Sequence, residues 1–362
     1  MILRGSFGFR YCVGILGAWF LLCGMGLAAA AQELPVPQNE PVPTLHVYMN
    51  LIQIPVLVLG PHLERIKDPI PERRFSVSIA GGPWFPATHA RQEGDDPISL
   101  SILLDLTGRE DAMSSKLAEA IADLAPLSLR PRDHVSIYAL NCSLQRSLED
   151  VPAEHHSLKQ GVEILLKARN DNGEGKEESA CAHPAQLWDA LGQITKDLYH
   201  LPGRRVILAV TNGRDKGSGH RWNDLRTFAQ VTGVAIFGLS YLPFNVSQPI
   251  RSNYENIFSD LCELSGGMVL RTNEVFVAKT LMRFTELLRE RYIVEFPRPA
   301  HATAGPESML VKIDKSKDDF IRPAGIAVPT PDAAVLADPT TVPSNPSLTP
   351  EVGNRKIMMP PQ

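Results

Sequence analysis

Between residues 96 and 290 the chain alternates short, almost uniformly apolar runs with amphipathic ones, and this alternation constrains the fold more than any other feature. The runs "ISLSILLD" (98–105), "HVSIYALN" (134–141), "RRVILAVTNG" (204–213), "VAIFGLSYL" (234–242) and "MVLR" (268–271) read as strands. Most of them are too apolar to keep a wet face. Helical spacing fills the intervals. "SSKLAEAIADLAPL" places Leu117, Ile121 and Leu124 on one face, with Ser114 as N-cap. "EHHSLKQGVEILLKA", "PAQLWDALGQITKDLYHL", "WNDLRTFAQVTG", "NYENIFSDLCELSGG" and "NEVFVAKTLMRFTELLRERY" follow in the same manner. Apolar strands alternating with helices imply a doubly wound, mostly parallel α/β sheet covered on both faces. Ligands of such sheets sit beyond the carboxyl ends of the strands, which places Asp105, Asn212 and Tyr241 along one rim.

Two β-like segments bracket this middle. "LHVYMNLIQIPVLVLG" and "RRFSVSIAGGPWF" fill residues 45–95, and "RYIVEFPRP" and "SMLVKIDKS" fill 291–322. They are expected to meet in one small sandwich or sheet that the chain leaves and re-enters. Residues 1–31 read as a signal peptide: Arg4 and Arg10 precede an apolar run that closes on the small-residue stretch "GLAAAAQE". A retained membrane anchor is the alternative. Leu22 before Cys23 does not suit a lipoprotein signal. Residues 32–44 form a proline-rich linker, and 323–362 a proline-rich tail with no sustained apolar period, disordered or extended. Cleavage would remove two arginines and no acid, taking the net charge from −4 to −6. That balance does not suit a nucleic-acid partner, and no membrane span remains after cleavage.

Of five cysteines, Cys12 and Cys23 leave with the signal. Cys262 shares a helical face with Phe258 and Leu261 and reads as a buried thiol. Cys142 and Cys181 are then the natural pair in an exported, disulfide-permissive setting, either bridged or as two free thiols. Cys181 and His183 with His155 and His156 lack finger-type spacing for zinc and read as solvated loop residues. "GLSYL" around Ser240 lacks the second glycine of a nucleophile elbow, so a serine hydrolase is a distant alternative. "NGRDKGSG" lacks the Lys-Ser/Thr pair of a phosphate loop and reads as a turn. Arg204, Arg205 and the helix end "RFTELLRERY" read as solvated faces, and Trp188 as core. Trp84 and Phe85 read as packing between the β segments and the central domain, with an exposed contact patch as the alternative.

In order, "LSILLDLTGRED", "LRPRDHVSIYAL", "AQLWDAL", "RRVILAVTNGRDKGS" and "AQVTGVAIFGLSYL" resemble the landmarks of the von Willebrand factor A (VWA) domain. The β lead-in and exit strand are similar to those of exported VWA-related proteins described from Acidobacteria. The resemblance covers about residues 45 to 315. It implies a Rossmann-like fold and a binding or scaffolding module for a protein partner, not an enzyme. The family's metal-ion-dependent adhesion site uses an Asp-x-Ser-x-Ser loop, a threonine in the third loop and an aspartate after the fourth strand, oxygen ligands suited to magnesium or calcium. Asp105 matches the first position and Thr107 the first serine in kind, but Arg109 stands at the second serine, Ala185 at the threonine and Asn212 at the distal acid. A guanidinium at contact distance opposes a divalent ion by about 1 to 4 kcal/mol in a wet site. The resemblance therefore implies a degenerate site with no cofactor, in which Asp105 pairs with Arg109 or Arg214. The alternative keeps magnesium or calcium on Asp105 and Thr107. The implied binding rim runs through residues 105–111, 142–146, 170–185 and 212–222. A Cys142–Cys181 bridge would pin its longest loop.

Overall fold

The computed structural model describes residues 46–48, 51–107, 111–171, 186–241, 253–299, 309–316, 319–324, 337 and 341–343. The signal segment, the linker before residue 46, Arg109, Cys181, His183 and Ala185 lie outside them. In chain order the strands and helices are β1 (His46–Tyr48), β2 (Leu51–Leu59), β3 (Phe75–Ile79), β4 (Phe85–Pro86), β5 (His89–Gln92), β6 (Ile98–Asp105), α1 (Asp111–Ala122), α2 (Leu124–Leu127), β7 (His134–Leu140), β8 (Leu144–Pro152), α3 (His155–Asp171) and α4 (Leu187–Tyr199). There follow β9 (Arg204–Val210), α5 (Trp222–Thr232), β10 (Ala235–Tyr241), α6 (Asn253–Leu264), β11 (Val269–Thr272), α7 (Val277–Glu290), β12 (Tyr292–Pro297), β13 (Met309–Ile313), β14 (Phe320–Pro323) and β15 (Thr341–Pro343).

The central sheet has six strands in the order β11-β10-β9-β6-β7-β8, all parallel except the β8 edge. Its strands are apolar because each face is covered. Ile98, Leu100, Ile102 and Leu104 of β6 pack with Leu117 and Ile121 of α1, Leu158 and Val162 of α3, and Leu281, Phe284 and Leu288 of α7. On the other face Leu103 of β6 and Ile207 of β9 pack with Trp188, Leu191 and Ile194 of α4, Leu225 of α5 and Phe258 and Leu261 of α6. This is the expected doubly wound architecture. Cys262 is a free, fully buried thiol in the second core, and burial pushes its pKa well up.

Two readings of local detail are corrected. α1 begins at Asp111, a turn before Ser114; an acidic residue suits a helix start because it faces the positive end of the dipole. The hairpin partner β8 was not foreseen, since "LQRSLEDVP" carries few apolar residues; as an edge strand it has a wet side.

The flanking segments meet as expected. β2 and β12 pair antiparallel within a sheet ordered β14-β2-β12-β5, which faces a second sheet ordered β13-β3-β4. Ile52, Ile54, Val56 and Val58 of β2 line the sandwich core with Phe75, Val77, Val294 and Phe296, while Leu57 and Leu59 point the other way into the core of the α/β domain. One strand thus serves two cores through its alternation. Phe85 packs edge-on to Phe296 within the sandwich, whereas Trp84 is 44% exposed under the Lys312 ammonium. The tail reading is corrected in part: β14 runs through Pro323, and Thr341–Pro343 pairs in parallel with His46–Tyr48. Thr341 and Val342 are β-branched, and a proline at a strand end forfeits little.

The largest correction concerns charge. Arg291 is 1% exposed and Glu93 fully buried, joined by two hydrogen bonds, Nε to Oε2 at 2.8 Å and Nη2 to Oε1 at 2.9 Å. Beside them Arg289 pairs with the buried Asp133 and donates to the carbonyl of Asp96 at 2.8 Å. Asp133 also accepts from the amides of Ile98 (3.0 Å) and Arg130 (2.6 Å). Arg204 lies 3.8 Å from Glu93 and 3.6 Å from Asp96, and burial lowers the pKa of its neighbour Arg205. These arginines are therefore not solvated faces. Arg204, Arg289 and Arg291 neutralise acids where the chain enters and leaves the α/β domain, and Arg205 donates to the Tyr199 carbonyl at 2.9 Å.

Removing one partner of a buried pair leaves a bare charge, which costs about 3–5 kcal/mol. Glu93→Ala and Arg291→Ala are each expected to lower unfolding free energy by that amount in urea titrations, and the double variant by clearly less than their sum. Additive losses would show that the pair is not coupled.

Candidate functional site

Strand order reverses between β6 and β9: from β6 the chain winds outward to β7 and β8, then crosses back to β9 and winds the other way. The carboxyl ends of β6 and β9 therefore diverge into the crevice where such sheets bind ligands. Asp105 ends β6, and Thr211 follows the last residue of β9.

These residues join across the crevice. Asp105 Oδ2 accepts from Thr211 Oγ1 at 2.5 Å, and Oδ1 accepts from Thr107 Oγ1 at 2.6 Å and from the Thr107 amide at 3.1 Å. Thr211 Oγ1 in turn accepts from the Gly213 amide at 3.0 Å. Gly213 has φ +75°, and a Cβ there would lie 2.8 Å from Phe258 Cβ, so the turn requires glycine. Both carboxylate oxygens of Asp105 are thus engaged by hydroxyl donors of its own fold.

Of the residues expected at the rim, Asp105, Thr107 and Asn212 come together in this region. Asn212 Oδ1 accepts from the Arg214 amide at 2.9 Å, an Asx turn that occupies the carbonyl in place of an acid. Arg214 is exposed and makes no ion pair with Asp105 among the described residues. Arg109 lies outside the described residues, as does the Ala185 position. Thr211 was missed by sequence reasoning, which weighed only the acid position beside it; the adjacent "TN" pair is the signal that marks it.

A second set of contacts, also unforeseen, fixes the loop after β9. Asp215 Oδ1 and Ser218 Oγ accept from the Trp188 amide at 3.2 and 3.1 Å, and Ser218 Oγ accepts from the Asp189 amide at 3.2 Å. They cap α4, whose own N-cap residue Gln186 makes no side-chain cap. Asp189 answers from the helix, accepting from the Gly219 amide at 2.7 Å, the His220 amide at 3.1 Å and His220 Nδ1 at 2.7 Å. Partial burial alone would raise the Asp189 pKa, but the hydrogen bonds from Gly219 and His220 outweigh it and hold the carboxyl below its ordinary value. The glycine-rich "NGRDKGSG" is accordingly a loop latched to a helix.

Elsewhere on the expected rim, Arg146 pairs with Glu149 at 2.7 Å and approaches Asp197 at 3.6 Å. Cys142, beyond the end of β7, is not a free thiol. Tyr241 ends β10 at the same level. Ser240 is buried and makes no hydrogen bond to a histidine or carboxylate among the described residues. Away from the rim, His155 Nε2 lies 3.5 Å from Asp123 Oδ1 and 3.9 Å from Glu119 Oε1 between α1 and α3. The Lys159 ammonium sits 2.7 Å from Glu119 Oε2, so that cluster already holds a cation of its own. No described helix is long and apolar enough to cross a membrane.

The architecture is that of a doubly wound, Rossmann-like α/β domain with β flanks and a polar crevice at its switch point. No family model and no curated protein matches the chain. Solved structures similar to it include proximal thread matrix protein 1 of the mussel byssus, at 9% identity over 58% of this chain and 51% of that one, with a TM-score of 0.42. An aerotolerance-related membrane protein from Bacteroides fragilis matches at 14% identity over 52% of this chain and 98% of that one, TM-score 0.37. The manganese-loaded TRAP protein of Plasmodium vivax matches at 9% identity over 66% and 96%, TM-score 0.37. The chain spans about half the length of the mussel protein.

A carboxyl group with a lowered folded-state pKa contributes stability above the unfolded aspartate pKa and loses it as pH falls through the folded value. Wild type is therefore expected to lose more thermal stability than Asp189→Asn between about pH 5 and pH 3. Parallel pH curves for the two proteins would remove this role from Asp189.

Proposed function

We propose that this chain is an exported module of the VWA type with a degenerate metal site, which binds a protein partner through the rim around Asp105 and carries out no catalysis. The observation that carries this reading is the closure of Asp105: both carboxylate oxygens are bound by the Thr107 and Thr211 hydroxyls, and the neighbouring amide of Asn212 is turned to its own loop. A hard divalent cation takes six or more oxygen ligands and favours several carboxylates. Here one carboxylate and two threonine hydroxyls converge, the Asn212 carbonyl is taken by the Arg214 amide, and the sequence places Arg109 four residues after Asp105. That donor set fits a magnesium or calcium ion poorly, so no step is routed through one. The described polar residues of this rim, Thr107, Asn212 and Arg214, stand at the ends of the sheet's strands, a placement that suits recognition of another protein's polar side chains.

Export rests on the first thirty-one residues of the sequence, whose pattern is that of a cleaved signal. In an oxidising compartment Cys142 pairs with Cys181; closing a segment of roughly forty residues contributes about 3–4 kcal/mol on the chain-entropy model.

A metal-dependent adhesion module is the second reading, favoured by the all-oxygen character of the same residues. Calorimetric titration of the full chain with magnesium and with calcium separates the two. No saturable heat is expected below about 1 mM. A saturable signal in that range that vanishes in Asp105→Ala would establish the metal-dependent module. Pull-downs from envelope extract are expected to lose their specific partner in Arg109→Glu while the variant keeps wild-type thermal stability. Equal recovery of every partner would place the binding face elsewhere.

A further inference from the structure

The central sheet also has an open edge. Among the described residues β11 is paired with β10 alone. The Met268 carbonyl accepts from the Gly238 amide at 3.0 Å, and Leu270 and Thr272 stand opposite Leu239 and Tyr241 in parallel register. Alternate residues of a parallel strand turn their backbone groups to the same side. Met268, Leu270 and Thr272 therefore face β10, and the amides and carbonyls of Val269 and Arg271 face outward.

A cleft of about 540 Å³ runs along this edge. Met268–Arg271 line it together with Phe258 of α6, Leu287 of α7 and Phe320 of β14, and it extends to Asn212 and Ser240 at the rim. Two charged walls are already neutralised: Glu263 pairs with Arg322 at 2.6 Å, and Arg283 with Glu286 at 3.3 Å. The Arg271 side chain is exposed and has no ion pair among the described residues.

We propose that β11 accepts an extended segment of a partner protein as a seventh strand, and that an acidic side chain of that segment pairs with Arg271. A helix cannot satisfy a row of outward amides and carbonyls, whereas a strand matches them at the same spacing. The apolar side chains of the cleft receive the alternate residues of the guest. The charge of Arg271 selects what enters: a second copy of this chain would bring another arginine to the same four-residue edge, which discourages self-pairing, while an acid is drawn in. The cleft reaches Asn212 at the rim, but strand addition depends on the Val269 and Arg271 backbone and the Arg271 charge rather than on Asp105, so failure of this proposal and failure of the rim reading are told apart by Arg271→Glu and Arg109→Glu.

The test titrates the full chain with a short synthetic peptide of alternating threonine and valine that carries a central aspartate. The same peptide with a central lysine, and one N-methylated on the edge that would face β11, serve as comparisons. Fluorescence anisotropy gives affinities and amide hydrogen exchange gives the place of binding. The aspartate peptide is expected to bind at least about ten-fold tighter than the lysine peptide. It should protect the Val269 and Arg271 amides, lose binding on N-methylation, and yield its preference to the lysine peptide in Arg271→Glu. Equal binding of the acidic and basic peptides, undiminished binding of the N-methylated one, protection at β8 instead, or no binding of any peptide would each overturn the proposal.

Discussion

The Arg291–Glu93 pair holds the place where two parts of the molecule are continuous. The chain leaves the β-sandwich after β5, reaches β6 through residues 93–97, and returns from α7 to β12 at Arg291. The two connections run side by side: the Glu93 amide donates to the Arg291 carbonyl at 2.7 Å, and the Gly94 amide to the Arg289 carbonyl at 3.0 Å. Between them lie the bidentate pair and the Arg289–Asp133 contact, the latter also holding the turn into β7. Such buried pairs are a poor source of net stability relative to apolar packing, because desolvation offsets the attraction. What they contribute is geometry. Each arginine is satisfied in one arrangement of the two connections, and slippage of either leaves a charge bare in the core.

With its base fixed in this way, the α/β domain presents its other end, the carboxyl ends of the strands, as a rigid rim. The position of Asp105 follows from the eight residues of β6, buried along their length until the last. Thr211 arrives opposite because β9 lies beside β6 in register, Leu104 against Val210. The hydrogen bond between them thus spans the switch point of the sheet. Asp105 is thus both positioned by two strands and engaged by donors of its own fold.

Much of the fold was legible in the sequence because burial on both faces of a parallel sheet forces uninterrupted apolar runs, and β6, β9 and β10 show them. The sandwich was legible because β2 and β12 are rich in β-branched residues. Arg289 and Arg291 were not legible. A charge near a helix end is ordinarily solvated, and the acid that buries Arg291 lies 198 positions away. The same holds at the rim. Asp105 could be read from its strand, but the donors that close it depend on which strand lies beside it, and the cap that Asp215 and Ser218 place on α4 comes from 27 to 30 positions further along the chain. Local pattern identifies elements; pairing of polar groups is decided by topology.

The central claim is that hydroxyl donors, not a cation, satisfy Asp105. A double-mutant cycle between Asp105→Asn and Thr211→Val, read by urea unfolding with and without magnesium, tests it most directly. The account predicts a coupling of about 1–3 kcal/mol, as for hydrogen bonds to a charged group, unchanged by the ion. A coupling near zero, or a wild-type protein stabilised by magnesium in proportion to its concentration, would contradict it.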